Sequence, residues 1–257
     1  MREEDIRKYL TTETFGKVIY PFEVLDSTNT KAKALALDAA DEGTMVISEE
    51  QTSGRGRMGR TWLSERGKNL TFSLIVRPRI PPQMVGLLSL CTGVAVARAL
   101  SSAVQVSVTC KWPNDLQVEG KKCCGILSEG LFVESTLSAV VIGIGLNVNQ
   151  IEFPDELHDH ATSLALQAGH NLDRFKLLAI MLREIELEYG KIQSASFDGI
   201  LDEWMRYSPM MGKEITIQQK GKSIHGIASR LAPDGGLIVQ TKAEEVKFLA
   251  GDVKVIE

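Results

Sequence analysis

From Ser27 the chain places apolar residues at helical spacing. Ala32, Leu35, Ala36 and Ala39 share one face, and Ser27 or Thr28 stands ready to cap the helix. The pattern then tightens. Residues 45–48 read as a short buried strand, whereas residues 51–59, where three glycines alternate with arginines, fit neither helix nor strand. Residues 69–76 predict a strand, 84 to about 102 a helix, and 106–109 and 116–118 two further strands. A turn at Glu119 and Gly120 leads into a strand over 122–129, and the very apolar run 137–144 predicts a central strand. An irregular stretch rich in His, Asp and Pro follows Gly145. Asp173 then caps a long helix reaching about Tyr189, and another helix is predicted over 197–207. Strands and helices interleaved in this way predict an α/β (α+β) architecture: a mixed sheet with helices packed on it.

The style changes near Ser208 and Pro209. Residues 214–218, 224–231, 237–241, 246–248 and 253–256 read as five short strands, divided by turns at 220–221, 233–236, 243–244 and 251–252. Five strands joined by tight turns predict a small β-barrel, so the chain divides into a first domain over 1–208 and a second over 209–257.

Composition narrows the classes. Twenty-nine Lys and Arg against thirty-three Asp and Glu give a net charge of −4 over 257 residues, with 44% hydrophobic and 24% charged content. Such averages argue against disorder and against a surface that coats nucleic acid or anionic membrane. The four cysteines, Cys91, Cys110, Cys123 and Cys124, lack zinc spacing, and the adjacent pair Cys123 and Cys124, in an apolar run, reads as buried thiols in a reducing cytoplasm. The charged N-terminus does not resemble a signal peptide, and the longest uncharged stretch, 80–97, reads as a buried helix too short and polar for a bilayer. A soluble cytoplasmic protein with no membrane partner is expected.

Four elements carry chemistry. The first is Gly54-Arg55-Gly56-Arg57-Met58-Gly59-Arg60, preceded by Gln51 and followed by Trp62. Its glycines allow close backbone approach and its three guanidiniums suit phosphate or carboxylate; a solvated loop or an RNA-binding Gly-Arg segment would show the same residues. The loop repels itself and is expected to be mobile until an anion arrives. The second is Lys111-Trp112-Pro113-Asn114-Asp115, a rigid corner, with Lys122 one hairpin later; a solvated hairpin lysine is the plain alternative. The third, Gly143-Ile144-Gly145-Leu146-Asn147, permits close approach at the end of a strand, though such glycines also serve packing. The fourth, Asp26-Ser27-Thr28-Asn29, is a helix cap that could equally offer amides and hydroxyls to a polar ligand.

In this order, and together with the terminal small barrel, these elements resemble the biotin–protein ligases over about residue 20 to the C-terminus. The likeness is to the short single-function form without a DNA-binding domain, and it implies an SH3-like C-terminal barrel. It implies ATP-dependent formation of biotinyl-5′-AMP, accompanied by Mg²⁺, and transfer of biotin to a lysine of a biotin carboxyl carrier protein or domain. No nucleic-acid partner is expected, and a homodimer through a sheet edge is implied.

By this resemblance Lys122 and Arg57 are catalytic. Ser27, Thr28, Asn29, Gln51, Arg55, Gly56, Arg57, Lys122 and Gly125 bind biotin. Arg57, Arg60, Trp62, Lys111, Asn114, Lys122 and Asn147 bind ATP. Asp115 is the candidate base for acyl transfer, with holding Lys111 or capping the corner as its structural alternative. Met58 lowers the loop's charge relative to the family pattern, and with the chain running to Glu257 directly after the fifth strand, no basic C-terminal contribution to the nucleotide is expected. A lipoate–protein ligase shares the same logic, but its glycine run followed by His-Asp is not found; an RNA-binding module is the rival of another class.

Overall fold

In the first unit of the protein, successive side chains along each strand point to opposite faces of a single sheet, and helices pack on both. The computed structural model describes residues 2–194, 199–219 and 221–256. In chain order the elements of this unit are α1 (Glu3–Arg7), β1 (Ile19–Leu25), α2 (Thr28–Leu37), β2 (Met45–Gln51), β3 (Leu70–Val76), α3 (Val85–Val104), β4 (Val108–Lys111), β5 (Asp115–Val118), β6 (Lys121–Val133), β7 (Thr136–Leu146), α4 (Leu164–Ala168), α5 (Arg174–Gln193) and α6 (Ile200–Tyr207). The sheet order is β1-β2-β3-β7-β6-β5-β4, with β1 parallel to β2 through the α2 crossover and every other pair antiparallel. β7 lies at the centre, as its apolar run predicts.

The period of two along the strands decides what lies above and below. Met45, Ile47, Phe72, Leu74, Ile142 and Ile144 join the main core with α3, α5 and α6. Val46, Ile75, Ala139 and Val141 point the other way, onto Ala32 and Ala36 of α2. α2 covers only part of that second face. Thr71, Ser73, Gly143, Gly145 and Gly125 continue the same face beyond the helix N-terminus, where the sheet forms a floor.

The second unit holds β8 (Glu214–Gln219), β9 (Lys222–Leu231), β10 (Leu237–Gln240), β11 (Glu245–Phe248) and β12 (Asp252–Val255). All five expected strands are present, paired antiparallel in the order β11-β10-β9-β8-β12. The barrel is not closed: among the described residues β11 and β12 remain edges. The turn between them carries Gly251 at φ +157°, where a Cβ would meet Ile217, and β12 pairs with β8 rather than with β11.

Several details differ from the sequence reading. β1 and α4 were not anticipated; Pro21 interrupts β1, and a proline is compatible with a strand only at an edge such as this one. Gln51 closes β2 instead of opening a loop. The first part of the helix expected over 197–207 falls outside the described residues, and the helix is seen from Ile200. The turn residue Lys220 and the terminal Glu257 also lie outside them. The stretch 82–104 proves long and apolar enough to cross a bilayer, contrary to expectation, yet 72% of its apolar window is buried inside this protein.

Asp173 caps α5 as expected, accepting from the amides of Phe175 (3.0 Å) and Lys176 (3.1 Å) and from the Tyr9 hydroxyl (2.8 Å). Burial pushes its carboxyl upward, but these hydrogen bonds outweigh it and hold the group below its ordinary value. A carboxyl depressed on folding contributes stability that is present above its unfolded pKa and is lost as pH falls through the folded one. Asp173→Ala is therefore expected to cost about 1 kcal/mol at neutral pH. Urea unfolding should show that difference shrinking below pH 4, the unfolded value being about 3.9.

Candidate active site

The floor of the cleft is built from missing side chains. A Cβ on Gly145 would stand 2.3 Å from the Trp62 ring, one on Gly143 would stand 2.1 Å from Asn29 Oδ1, and one on Gly125 would lie 3.2 Å from Trp62 and 3.3 Å from Lys122 Nζ. Trp62, Asn29 and Lys122 thus occupy the space that three glycines leave open.

At one end stands the N-terminus of α2. Ser27 caps it, its hydroxyl accepting from the Thr30 amide at 3.5 Å. The Thr28 amide donates to Gln51 Oε1 (2.7 Å), and the Thr28 hydroxyl lies 3.1 Å from the same oxygen. Asn29 contacts Ser73 Oγ through Oδ1 (2.6 Å), and through Nδ2 it donates to Glu129 (2.7 Å) and the Leu127 carbonyl (3.4 Å). Ser27, Thr28 and Asn29 are all buried. Ser73 and Glu129 were not singled out in the sequence. A serine within an apolar strand and a glutamate two residues past Leu127 carry no motif, and only the register of β3, β6 and β7 brings them here.

At the other end the arginine loop folds back on itself. The Trp62 amide donates to Gly54 O (3.0 Å), the Gly56 amide to Arg60 O (2.7 Å), and a single 3₁₀ turn over Arg57–Gly59 forms the tip. Gly54 is required, because a Cβ there would lie 2.3 Å from Trp62 O. Arg57 is half-buried. Burial draws its pKa below the usual arginine value, opposed by Asp115 and Asp252. Arg60 forms an ion pair with Asp252 of β12, and Arg55 is exposed.

Lys122 Nζ lies 2.7 Å from Asp115 Oδ1 and 5.6 Å from the centre of the Trp62 ring. The ion pair of Asp115 is therefore with Lys122 rather than Lys111, the lysine that one of its two structural alternatives had it hold. Its backbone partner in the strand pair is nevertheless Lys111, at the end of β4. The charge of Asp115, which Lys122 touches, is also felt by Arg57 of the loop.

The remaining predicted residues brace the site. Asn114 Nδ2 donates to Ile126 O (2.7 Å) and its carbonyl accepts from the Ile126 amide (2.9 Å), joining the corner to β6. Asn147 is buried, with Nδ2 donating to Thr162 O (3.1 Å) and Oδ1 unpartnered. The Trp112–Pro113 peptide is cis, and the buried Trp112 indole donates to Gly235 O (3.1 Å) in the second unit. Beside it lies a cavity of about 260 Å³ bounded by Arg57, Trp112, Pro113, Leu127, Asp234 and Leu249, among others. All four cysteines are free and buried, Cys123 and Cys124 as read; burial pushes Cys110 and Cys123 up to about 12.

Residues 21–147 match the Biotin/lipoate A/B protein ligase family, and residues 211–255 match the Biotin protein ligase C terminal domain. The chain is 37% identical over 257 residues to the bifunctional ligase/repressor BirA of Bacillus subtilis, covering 99% of this chain and 79% of that protein. It is 33% identical over 233 residues to the biotin–[acetyl-CoA-carboxylase] ligase of Mycobacterium tuberculosis, covering 88% of this chain and 85% of that protein. The structure of a biotin protein ligase from Aquifex aeolicus in complex with biotin and ATP matches with a TM-score of 0.80 at 30% identity, covering 93% of this chain and 99% of that one. With the cleft, the floor and both units accounted for, the chain belongs to the biotin protein ligase family and is a ligase enzyme.

Proposed function

We propose that this enzyme activates biotin with ATP and transfers it to a lysine of a biotin carboxyl carrier domain. The observation that carries the reading is the meeting of Lys122 and Trp62 over the glycine floor, with Asp115 paired to that lysine. Residues 1–208 supply this cleft, and residues 209–257 supply the wall that meets the arginine loop.

In the first half-reaction a biotin carboxylate oxygen attacks the α-phosphorus of ATP. The bond to the bridging oxygen breaks and pyrophosphate leaves. A carboxylate is already ionised at neutral pH, so no general base is needed; the difficulty is bringing two anions together. Lys122 bridges the two, Arg57 stabilises the same region, and Arg60 exchanges Asp252 for the departing phosphates. Biotin's cyclic urea sits against Ser27, Thr28, Asn29 and Gln51, with Arg55, Gly56 and Gly125 alongside. Lys111, Asn114, Trp62 and Asn147 border the nucleotide, the unpartnered Asn147 Oδ1 offering it an acceptor. Mg²⁺ would accompany the ATP, bound through its phosphates.

In the second half-reaction the acceptor ε-amine attacks the acyl carbon, the bond to the phosphate oxygen breaks, and AMP departs. That amine has a pKa near 10.4 in water and is mostly protonated, so a base is required. We assign this role to Asp115. Loop closure over the mixed anhydride excludes water. The free buried cysteines suit a reducing cytoplasm, and β1 and β4 are the sheet edges through which a homodimer would form.

Incubation with ATP, Mg²⁺ and biotin should label a carrier domain detectable with streptavidin, and pyrophosphate exchange should depend on biotin and be absent with lipoate. Exchange with lipoate alone would overturn the reading in favour of the sister activity. Lys122→Ala should retain its circular dichroism spectrum while losing about 10²–10³-fold in adenylation rate, the range for removing one transition-state donor. Arg57→Gly should still form some adenylate but release it, so mass spectrometry of a bystander protein should find scattered biotinylated lysines absent with the wild type.

A further inference from the structure

A relay of buried hydrogen bonds connects a residue outside the cleft to the helix end that lines it. Asn29 Nδ2 faces the Glu129 carboxylate at 2.7 Å and the Leu127 carbonyl at 3.4 Å, two groups that only accept. The amide nitrogen must therefore point toward them, and Oδ1 toward Ser73, 2.6 Å away. Ser73 has one hydroxyl proton, and an amide oxygen can only accept it. Ser73 Oγ then serves as acceptor for Thr28 Oγ1 at 2.8 Å, which commits the Thr28 proton. Gln51 Oε1 is consequently held by the Thr28 amide at 2.7 Å, and the Gln51 NH₂ group is turned outward, toward Gly54. Thr28 and Asn29 are buried and Ser73 is fully so, so water cannot relieve a wrong orientation. Lys33, 2.5 Å from Glu129, keeps the carboxylate ionised, and Arg55 of the arginine loop favours the same charge.

We propose that Glu129 is a positioning residue: through Asn29 and Ser73 it fixes the donor and acceptor pattern of Thr28 and Gln51. With Glu129 charged, Gln51 presents N–H donors and Thr28 Oγ1 keeps a free lone pair. That pattern complements a cyclic urea, which offers one carbonyl acceptor and ring N–H donors. A neutral glutamine at this position can donate to Asn29 Oδ1, which turns the amide over and reverses Ser73 and Thr28 in sequence. The inference rests on the biotin reading of this pocket.

The test is a double-mutant cycle on biotin-dependent pyrophosphate exchange with Glu129→Gln, Ser73→Ala and both together. Each single variant should raise the KM for biotin roughly tenfold, about the effect of one hydrogen bond, leaving kcat and the KM for ATP within twofold. The double variant should be no worse than Ser73→Ala, because both act on one relay. Multiplying effects in the double variant, or a wild-type biotin KM in Glu129→Gln, would overturn the inference. If Glu129→Gln does not fold by thermal unfolding, Ser73→Ala carries the test: an unchanged biotin KM there overturns it equally. Wild-type protein without biotin-dependent exchange would instead refute the proposed function.

Discussion

No residue with a side chain can stand at positions 143 and 145 while Asn29 and Trp62 remain where they are. This exclusion organises the cleft. Gly125 and Gly145 face each other across β6 and β7, and Gly143 pairs with Ser73 of β3, so the bare patch lies on two adjacent strands with Ser73 at its border. The helix N-terminus closes on it from one side and the arginine loop from the other. Each would be forced outward by a single methyl group, since packed interiors have little room to absorb one.

Charge is arranged on this patch in opposed pairs. Lys122 meets Asp115 and Arg60 meets Asp252, while Arg57 feels both carboxylates. Each of these cations is thereby offset by a nearby carboxylate. Arg57 is the most desolvated of the loop's arginines, which makes it the one whose charge acts at greatest strength.

Much of this was legible in the sequence, for physical reasons that differ from place to place. β7 announced itself because a strand buried on both faces has no polar positions to break its run. The cap at Asp173 and the five short strands of the second unit were readable from local chemistry alone. Pairings over long distances were not. Nothing local to Ser73 or Glu129 reveals that both touch Asn29, and the contact of Arg60 with Asp252 spans 192 positions. Closure of the second sheet was expected from strand count, but closure depends on which edges pair, and β11 and β12 do not pair with each other. Asn114 and Asn147 were legible as polar residues near the cleft, yet their amide nitrogens are occupied by backbone carbonyls, which spacing cannot disclose.

The Trp112 indole reaches a carbonyl 123 positions further along the chain, in the 233–236 turn. The corner bearing Asn114 and Asp115 is therefore referenced to a unit synthesised long after it. Contacts of such wide separation form only once most of the chain has collapsed. The bracing of that corner is therefore shared between the two units rather than being a property of the seven-stranded sheet alone.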